Sequence, residues 1–203
     1  MKKRGFIMQD TQRNEEFIEV ILGRLGEKRF YHSMCVAKAA RELAVKYGAD
    51  PERAYTAGIL HDVMKEAPGE EQLQTIAAAG IILTDVERAN KKLWHAVAGY
   101  AYCRDVLHVE DTGILDAIRY HTTGRADMTL LEKCVYIADF ISEDRDYPGV
   151  EAIRACAQQG LKTVLFEGMK FTIEELAGKG QAIHPDTVSA YNQIIISDSE
   201  GNE

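Results

Sequence analysis

Residues 50–65 read DPERAYTAGILHDVMK, and this stretch predicts a helix whose start is clearly marked. Asp50 is a typical capping residue, and Pro51 suits the first helical position because that position needs no N–H donor. The apolar residues then continue at helical spacing to about Lys65. Near its end the predicted helix carries His61 and Asp62 side by side, preceded by the apolar and small residues AGIL.

The same helical periodicity extends outward over most of the chain. Further helices are expected over about residues 11–25, 28–47, 70–79, 93–107, 113–121, 128–141, 150–157, 163–177 and 185–196. Strand signals are weak, since Gly80–Thr84 and Ile194–Ile196 are short and have no turn-linked partner. No repeat or composition break divides the sequence. We therefore expect an all-α bundle in a single domain.

Composition and charge exclude several classes of protein. The chain has 24 Lys and Arg against 32 Asp and Glu, a net charge of −8, without the basic surplus of a nucleic-acid binder. No apolar run is long enough for a membrane span, and no apolar segment follows the basic start as in a signal peptide. The four cysteines form no C-x-x-C pair and suit free thiols in a reducing compartment. We expect a soluble, cytoplasmic protein that binds neither nucleic acid nor membrane.

Asp139 is the first residue whose position points to chemistry. It lies in the segment 134–141, CVYIADFI, with apolar residues on both sides. A buried carboxylate without a partner costs several kcal/mol, so a cation is expected beside it. The sequence leaves two kinds of partner open, a metal ion or a buried salt bridge to Arg or Lys.

Several histidines occupy similar inward positions. A single histidine on an apolar face is more often a hydrogen-bonded core residue than a metal ligand. Four such histidines together with two aspartates favour a metal site; the histidines are His32, His61, His95 and His121, and the aspartates are Asp62 and Asp139. His108 is expected at the surface, whereas His184 is either a residue near a helix cap or part of a ligand pocket.

The order His32, His61-Asp62, Asp139 resembles the H…HD…D motif of the HD-domain metal-dependent phosphohydrolases, an all-α family. His95 and His121 match the members that hold two metals. Finer similarities are to the YqeK branch, the symmetrical diadenosine tetraphosphate hydrolases of bacteria; they include Arg29, Lys65, the segment His121-Thr122-Thr123-Gly124 and Arg145. The likeness runs from about Lys28 to Asn192.

This resemblance implies a domain organisation and a metal centre. Residues 26–196 would form an HD-type helical bundle, preceded by a helical lead-in of residues 1–25 and followed by a polar tail of residues 197–203. His32, His61, Asp62 and Asp139 would bind one metal, and His95 and His121 would bind the second, with Asp62 bridging. Iron is the metal that the resemblance favours, although manganese, cobalt or zinc suit these donors nearly as well.

The resemblance also implies an activity. A hydroxide shared by the two metals would cleave diadenosine tetraphosphate symmetrically into two ADP, with Asp62 and Lys65 as catalytic residues. Phosphates would contact Arg29, Lys65, Thr122, Thr123 and Arg145, and the nucleoside end would contact Ile183, His184 and Pro185. Simpler interpretations are a solvated helix-end Lys65 and a surface ion pair for Arg145, which follows Glu143 and Asp144.

Three other functions remain open at this point. The chain could be an HD phosphohydrolase acting on another nucleotide, a di-iron oxygenase on the same scaffold, or a nucleotide sensor without activity. The phosphate-binding candidates argue against the oxygenase, and the complete ligand set argues against the sensor. The sequence does not fix the oligomeric state, and it is compatible with a homodimer.

Overall fold

The computed structural model describes residues 2–199, with the side chains of residues 12–197. All regular elements within this range are helical and none is a strand, which confirms the all-α expectation. The helices are α1 (Lys2–Arg24), α2 (Glu27–Tyr47), α3 (Pro51–Leu60), α4 (Gly69–Ala78), α5 (Asp85–Ala89), α6 (Trp94–Asp105), α7 (Thr112–Tyr120), α8 (Leu130–Ile141), α9 (Val150–Gln159), α10 (Leu161–Gly178) and α11 (Pro185–Ser199), with a 3₁₀ helix at Lys91–Leu93.

The start of α3 follows the sequence signal. The Asp50 side chain accepts hydrogen bonds from the backbone N–H groups of Glu52, at 3.0 Å, and Arg53, at 3.1 Å. Pro51 occupies the first helical position. Two of the N–H groups that lack an intrahelical acceptor are thus satisfied, so α3 begins where the capping signal predicts.

The end of α3 differs from the prediction. The helix ends at Leu60 instead of about Lys65, and residues 61–66 form consecutive turns. In these turns Val63 N–H donates to the carbonyl of Leu60, and Lys65 N–H to the carbonyl of Asp62. Val63 and Met64 are still fully buried, so the apolar pattern continues after the α-helix has ended. His61, Asp62 and Lys65 therefore lie in a turn that projects from the helix end.

Helices α2 and α3 pack so closely that only glycine fits at the crossing. A Cβ atom on Gly58 would lie 2.5 Å from Ala37 Cα and 2.8 Å from Ala37 N. Such distances are far below van der Waals contact, and backbone atoms cannot move aside as a flexible side chain can. The small residue that the sequence places three positions before His61 is therefore required by the neighbouring helix.

Helix α5 and the following 3₁₀ helix were not expected from the sequence. Thr84 and Glu87 cap α5 reciprocally, with Thr84 N–H donating to Glu87 Oε2 at 2.8 Å. Glu87 is 1% exposed and forms an ion pair with Arg119 of α7. The Trp94 indole donates to the Glu87 carbonyl at 2.7 Å. A short, polar-capped segment thus connects the start of α6 to α7.

The first and last helices are longer than the sequence predicts. Helix α1 begins at Lys2 instead of about residue 11, and α11 continues to Ser199 instead of Ile196. Phe17, Ile21 and Leu25 are buried in the same core as α2 and α3. The rest of the predicted polar tail, residues 200–203, lies outside the described residues. Within residues 2–199, no helix combines the length and the apolar character needed to cross a membrane.

Candidate metal centre

The six predicted ligands come together in the middle of the bundle. Asp139 retains 19% side-chain exposure, and the other five are nearly or fully buried. Five separate segments contribute them: His32 lies in α2, His61 and Asp62 follow α3, His95 lies in α6, His121 follows α7, and Asp139 lies in α8. Residues more than a hundred positions apart in the sequence therefore form one polar cluster inside an apolar core.

One half of the cluster is centred on Asp139. Its Oδ1 atom lies 3.0 Å from His32 Nε2 and 3.8 Å from His61 Nε2. The potential ligand atoms of these three residues are all within 4.8 Å of one another. Two imidazoles and a carboxylate at this spacing can coordinate a single cation.

The other half is centred on Asp62, whose two oxygens face different histidines. Asp62 Oδ2 lies 3.5 Å from His61 Nε2. Asp62 Oδ1 lies 3.2 Å from His95 Nε2 and 3.5 Å from His121 Nε2. The Nε2 atoms of His95 and His121 are 3.1 Å apart. Asp62 is thus the residue that connects the Asp139 half of the cluster to the pair His95 and His121.

His61 and His121 are oriented by the ends of their own helices. Each is the residue directly after the last helical position, of α3 and α7 respectively. His61 Nδ1 lies 2.7 Å from the Gly58 carbonyl oxygen, and His121 Nδ1 lies 2.8 Å from that of Ile118. Carbonyls in the last helical turn have no intrahelical donor and can accept from these rings. Both histidines therefore direct Nε2 toward the carboxylates.

The two aspartates are held in the ionised form. Burial alone would raise the pKa of Asp62, but the charge of His61 and the close ring nitrogens of His121, His61 and His95 hold it well below its usual range. Burial likewise opposes ionisation of Asp139, and the contact with the His32 ring and the charge of Arg145 hold its pKa well below the usual range. Both groups are therefore carboxylates at neutral pH.

His95 is held neutral. Burial, which outweighs the effect of the nearby Asp62 carboxylate, lowers the pKa of His95 from 6.5 to about 4. The nearby positive charges of Lys65 and His121 act in the same direction. A neutral imidazole retains a nitrogen lone pair, which is the form required of a metal ligand.

The residues present fit a pair of metal ions. Within the described part of the chain, His61 Nε2 and Asp62 Oδ1 are buried and have no hydrogen-bond partner. Both atoms lie in the cluster, where a cation would satisfy them. Four imidazoles and two carboxylates are also the mixed nitrogen and oxygen donors typical of sites for first-row transition metals.

Three cationic side chains border the cluster. Arg29 Nη1 donates to Asp62 Oδ2 at 2.8 Å, and Lys65 Nζ lies 3.1 Å from His95 Nε2. Arg145 pairs with Asp139 Oδ1 and also donates from Nε to the Asp139 carbonyl at 2.6 Å. The buried salt bridge considered for Asp139 is therefore present, beside its two histidines. Neither Lys65 nor Arg145 is a solvated surface residue with only surface partners.

A cavity of about 430 Å³ opens beside the Asp139 half of the cluster. Its lining combines basic and acidic side chains with a tyrosine ring, and consists of Lys28, Arg29, His32, Asp144, Arg145, Asp146 and Tyr147. Arg29 and Arg145 therefore contact both the cluster and the space through which a ligand would approach it.

The predicted threonines differ from each other in position. Thr123 is 3% exposed, and its hydroxyl donates to the Gly124 carbonyl at 2.9 Å. Its own carbonyl accepts from the Thr187 hydroxyl at 2.7 Å. The side chain of Thr123 is thus engaged within the protein and does not face the cluster, whereas Thr122 is half-buried beside His121.

In the segment predicted to contact the nucleoside end, residues 183–185, the His184 side chain is buried in the protein. Ile183 is half-buried and Pro185 is exposed, but His184 is 5% exposed. His184 Nε2 lies 3.8 Å from Glu87 Oε1, and His184 Nδ1 accepts from the Asp186 N–H at 3.2 Å. His184 thus lies against the Glu87 carboxylate and the start of α11.

Asp144 is a residue of the site that the sequence did not reveal. In the sequence it stands out only as an acidic neighbour of Arg145, yet its Oδ2 accepts a hydrogen bond from His32 Nδ1 at 2.7 Å. His32 lies 112 positions earlier in the chain, so no local pattern could indicate this contact.

Comparison with known proteins gives one consistent result. The family model for the HD domain matches residues 29–144. A Bacillus subtilis protein named symmetrical bis(5'-nucleosyl)-tetraphosphatase is 40% identical, with 89% of this chain and 97% of that protein covered. A protein of the same name from Halalkalibacterium halodurans is 37% identical, with 88% and 95% covered.

A solved structure agrees with these relatives. It is a Clostridium acetobutylicum protein described as a predicted HD superfamily hydrolase involved in NAD metabolism, and it superposes with a TM-score of 0.86 at 37% identity. The superposition covers 90% of this chain and 97% of that protein. Together with the geometry of the six ligands, these matches show that the chain belongs to the HD-domain family, in the branch that contains the two bacterial tetraphosphatases.

Proposed function

We propose that this protein is a metal-dependent hydrolase that cleaves diadenosine tetraphosphate symmetrically into two molecules of ADP. The observation that carries the proposal is the position of Asp62, whose two oxygens face His61 on one side and His95 with His121 on the other. Such a carboxylate suits a two-metal centre, and relatives with 37–40% identity over most of the chain are named for this activity.

The proposed metal ligands follow the two halves of the cluster. His32, His61 and Asp139 with Asp62 would hold one metal, and His95 and His121 with Asp62 would hold the other. When bound, a pair of such cations supplies Lewis acidity toward phosphoryl oxygens and lowers the pKa of a coordinated water. Iron is the proposed metal, because mixed imidazole and carboxylate donors suit it, and metal analysis of the purified protein tests this choice.

The reaction adds one water molecule across the central bridge of the tetraphosphate. A bond forms between the water oxygen and one of the two central phosphorus atoms. The bond from that phosphorus to the central bridging oxygen breaks, the second ADP leaves with this oxygen, and a proton is released. Symmetry follows if the protein holds one whole ADP unit, because the attacked phosphorus is then the last one of that unit.

The cationic side chains have separate roles in this proposal. Arg29 and Arg145 lie at the cavity beside the cluster and can each present a planar pair of donors to phosphate oxygens. Lys65 lies at the other end, 3.8 Å from Asp62 Oδ1 and 3.1 Å from His95 Nε2. Its ammonium group can offset the charge that develops on the departing diphosphate. These groups supply local positive charge in a chain whose net charge is −8.

The alternatives have less support. A phosphohydrolase for another nucleotide would use the same centre, but the relatives in hand are named for tetraphosphates. A di-iron oxygenase would have no use for three cations around the carboxylates. A cytoplasmic location is part of the proposal, because all four cysteines are free thiols, as is usual in a reducing compartment.

The test is hydrolysis under anaerobic conditions. Protein loaded with iron is incubated with diadenosine tetraphosphate, and the products are separated by chromatography. We expect ADP alone, and we expect Asp62→Asn to abolish its formation. Asp105→Asn is the matched control, because it removes the same charge from an exposed residue at the end of α6 that pairs with Arg104.

Two results would contradict the proposal. AMP and ATP in equal amounts would mean that the protein holds the phosphate chain in another register, so that the roles of Arg29 and Arg145 would be wrong. No cleavage of diadenosine tetraphosphate, together with turnover of another nucleotide, would support the alternative substrate instead.

A further inference from the structure

We propose that Asp144 is a positioning residue that fixes the tautomer and orientation of His32 for metal binding. This inference rests on the proposed metal centre, since its effect is exerted through a histidine of that centre. Asp144 is not one of the proposed ligands. It contacts the ring nitrogen of His32 that faces away from Asp139.

His32 differs from the other oriented histidines in its place on its helix. His61 and His121 follow helix ends, where free carbonyls accept from Nδ1. His32 lies within α2, which runs from Glu27 to Tyr47, and the carbonyls around it are used by the helix itself. The acceptor for His32 Nδ1 must therefore come from another part of the chain, and the Asp144 carboxylate provides it at 2.7 Å.

The choice of tautomer matters because His32 lies between two carboxylates. Asp144 Oδ2 is 2.7 Å from Nδ1, and Asp139 Oδ1 is 3.0 Å from Nε2. A neutral imidazole carries one N–H and donates it to one of these acceptors. If the proton is on Nε2, the nitrogen that faces the metal position has no free lone pair. Asp144 favours the proton on Nδ1 and leaves Nε2 able to bind a metal.

A second contact agrees with this tautomer. Arg145 Nη2, which can only donate, lies 3.4 Å from His32 Nε2. A donor at this position is compatible with a lone pair on Nε2 and unfavourable for a hydrogen there. Asp144 on one side of the ring and Arg145 on the other thus favour the proton on Nδ1, whereas the Asp139 carboxylate alone would favour it on Nε2.

The loop that carries Asp144 is held in place by a single guanidinium group. Arg154 of α9 donates to the carbonyls of Ile141 at 3.1 Å, Ser142 at 2.7 Å and Arg145 at 2.9 Å. These contacts fix the backbone on both sides of Asp144. A carboxylate on such a loop can orient His32 reproducibly, whereas one on an unsupported loop would have to be ordered first.

The experiment compares Asp144→Ala and Asp144→Asn with wild type. Glu143→Gln is the matched control, because it removes one charge from the neighbouring residue, whose partners are the exposed Lys38 and the Cys35 thiol and not His32. The first measurement is the His32 tautomer, read from the ¹⁵N chemical shifts of the imidazole in the chelator-treated protein. The second is the affinity for Mn²⁺, measured by counting free Mn²⁺ with electron paramagnetic resonance.

The expected results differ between the variants. In wild type and Glu143→Gln, we expect His32 protonated on Nδ1 and two Mn²⁺ bound. In Asp144→Ala the proton moves to Nε2, and one of the two sites weakens about ten- to a hundredfold, the usual loss when such a partner is removed. Asp144→Asn weakens this site less, because the amide oxygen still accepts from Nδ1.

The outcomes separate this inference from the proposed function. An unchanged His32 tautomer in Asp144→Ala would overturn the role of Asp144, whatever happens to the affinity. Equal Mn²⁺ affinity in wild type and Asp144→Ala would also overturn it. A wild-type chain that binds no Mn²⁺ would instead overturn the metal centre on which the inference depends.

Discussion

Replacing Gly58 by alanine tests the close crossing of α2 and α3 on which the centre depends. The added Cβ would lie 2.5 Å from Ala37 Cα and 2.8 Å from Ala37 N, whereas carbon atoms normally pack about 3.5–4.0 Å apart. Relief of this overlap requires the helices to separate by about 1 Å. Overpacking of this kind costs about 1–3 kcal/mol and at times more, and here the obstacle is backbone.

The gain in helix propensity offsets part of this cost. Alanine is about 1 kcal/mol better than glycine within a helix. Because the obstacle is backbone, we take the upper end of the overpacking cost, about 3 kcal/mol, and expect Gly58→Ala to lower the free energy of unfolding by about 2 kcal/mol. For a chain of 203 residues this corresponds to a Tm lower by about 4–8 °C. The measurement is urea unfolding followed by circular dichroism, with the midpoint and slope fitted together.

Gly23→Ala is the control, because the same substitution is not expected to destabilise the protein there. Gly23 lies in α1, and a Cβ at this position would meet nothing within 4 Å. Gly23→Ala should therefore leave stability unchanged or raise it by up to about 1 kcal/mol. The reasoning is refuted if Gly58→Ala is as stable as wild type. Because the Gly58 carbonyl also orients His61, the variant should in addition bind Mn²⁺ more weakly.

Three further predictions concern buried charges and the centre itself. Glu87→Gln should lower the free energy of unfolding by about 3 kcal/mol, because it leaves the Arg119 charge without its buried partner. Thermal unfolding of the variant measures this change, and a loss below about 1 kcal/mol would contradict the prediction. Acidification should destabilise the chelator-treated protein between pH 6.5 and pH 4. In this range His95 binds a proton in the unfolded chain but not in the folded one, where its pKa is lowered to about 4. Urea unfolding across this range checks the sign, and His95→Asn should flatten the dependence. Lys65→Met should lower kcat for diadenosine tetraphosphate by at least about tenfold with Mn²⁺ binding intact, and steady-state kinetics would contradict its role if kcat were unchanged.

The sequence predicts helices well where local chemistry marks their ends. Asp50 and Pro51 determine the start of α3, and the structure begins the helix there. The predicted end of α3 at about Lys65 was wrong. Val63 and Met64 remain buried after the backbone has changed from α-helix to turns, so the apolar pattern continues beyond the helix. Helix α5 was missed, because its five residues depend on a cap by Glu87 and on contacts from α6 and α7.

The six clustered histidines and aspartates could be singled out from the sequence for a physical reason. A histidine or aspartate between apolar residues must have a buried partner, and six such residues are difficult to satisfy separately. Asp144 escaped this reasoning, because its acidic neighbours made it resemble a solvent-exposed residue. The phosphate contact of Thr123 stays a prediction, and its hydroxyl donates to the Gly124 carbonyl in the structure. The choice of iron, the homodimer and the domain boundary at residue 26 stay predictions.

The two histidines that follow helix ends have a consequence for the order in which ligands bind. Helices α3 and α7 both end at the centre, and the C-terminal end of a helix carries a partial negative charge. The field of the two helix dipoles thus adds to that of Asp62 and Asp139 and attracts cations while it repels phosphate. We therefore expect ordered binding, in which a nucleotide gains most of its affinity after the metals have offset the negative charge of the carboxylates and the helix ends.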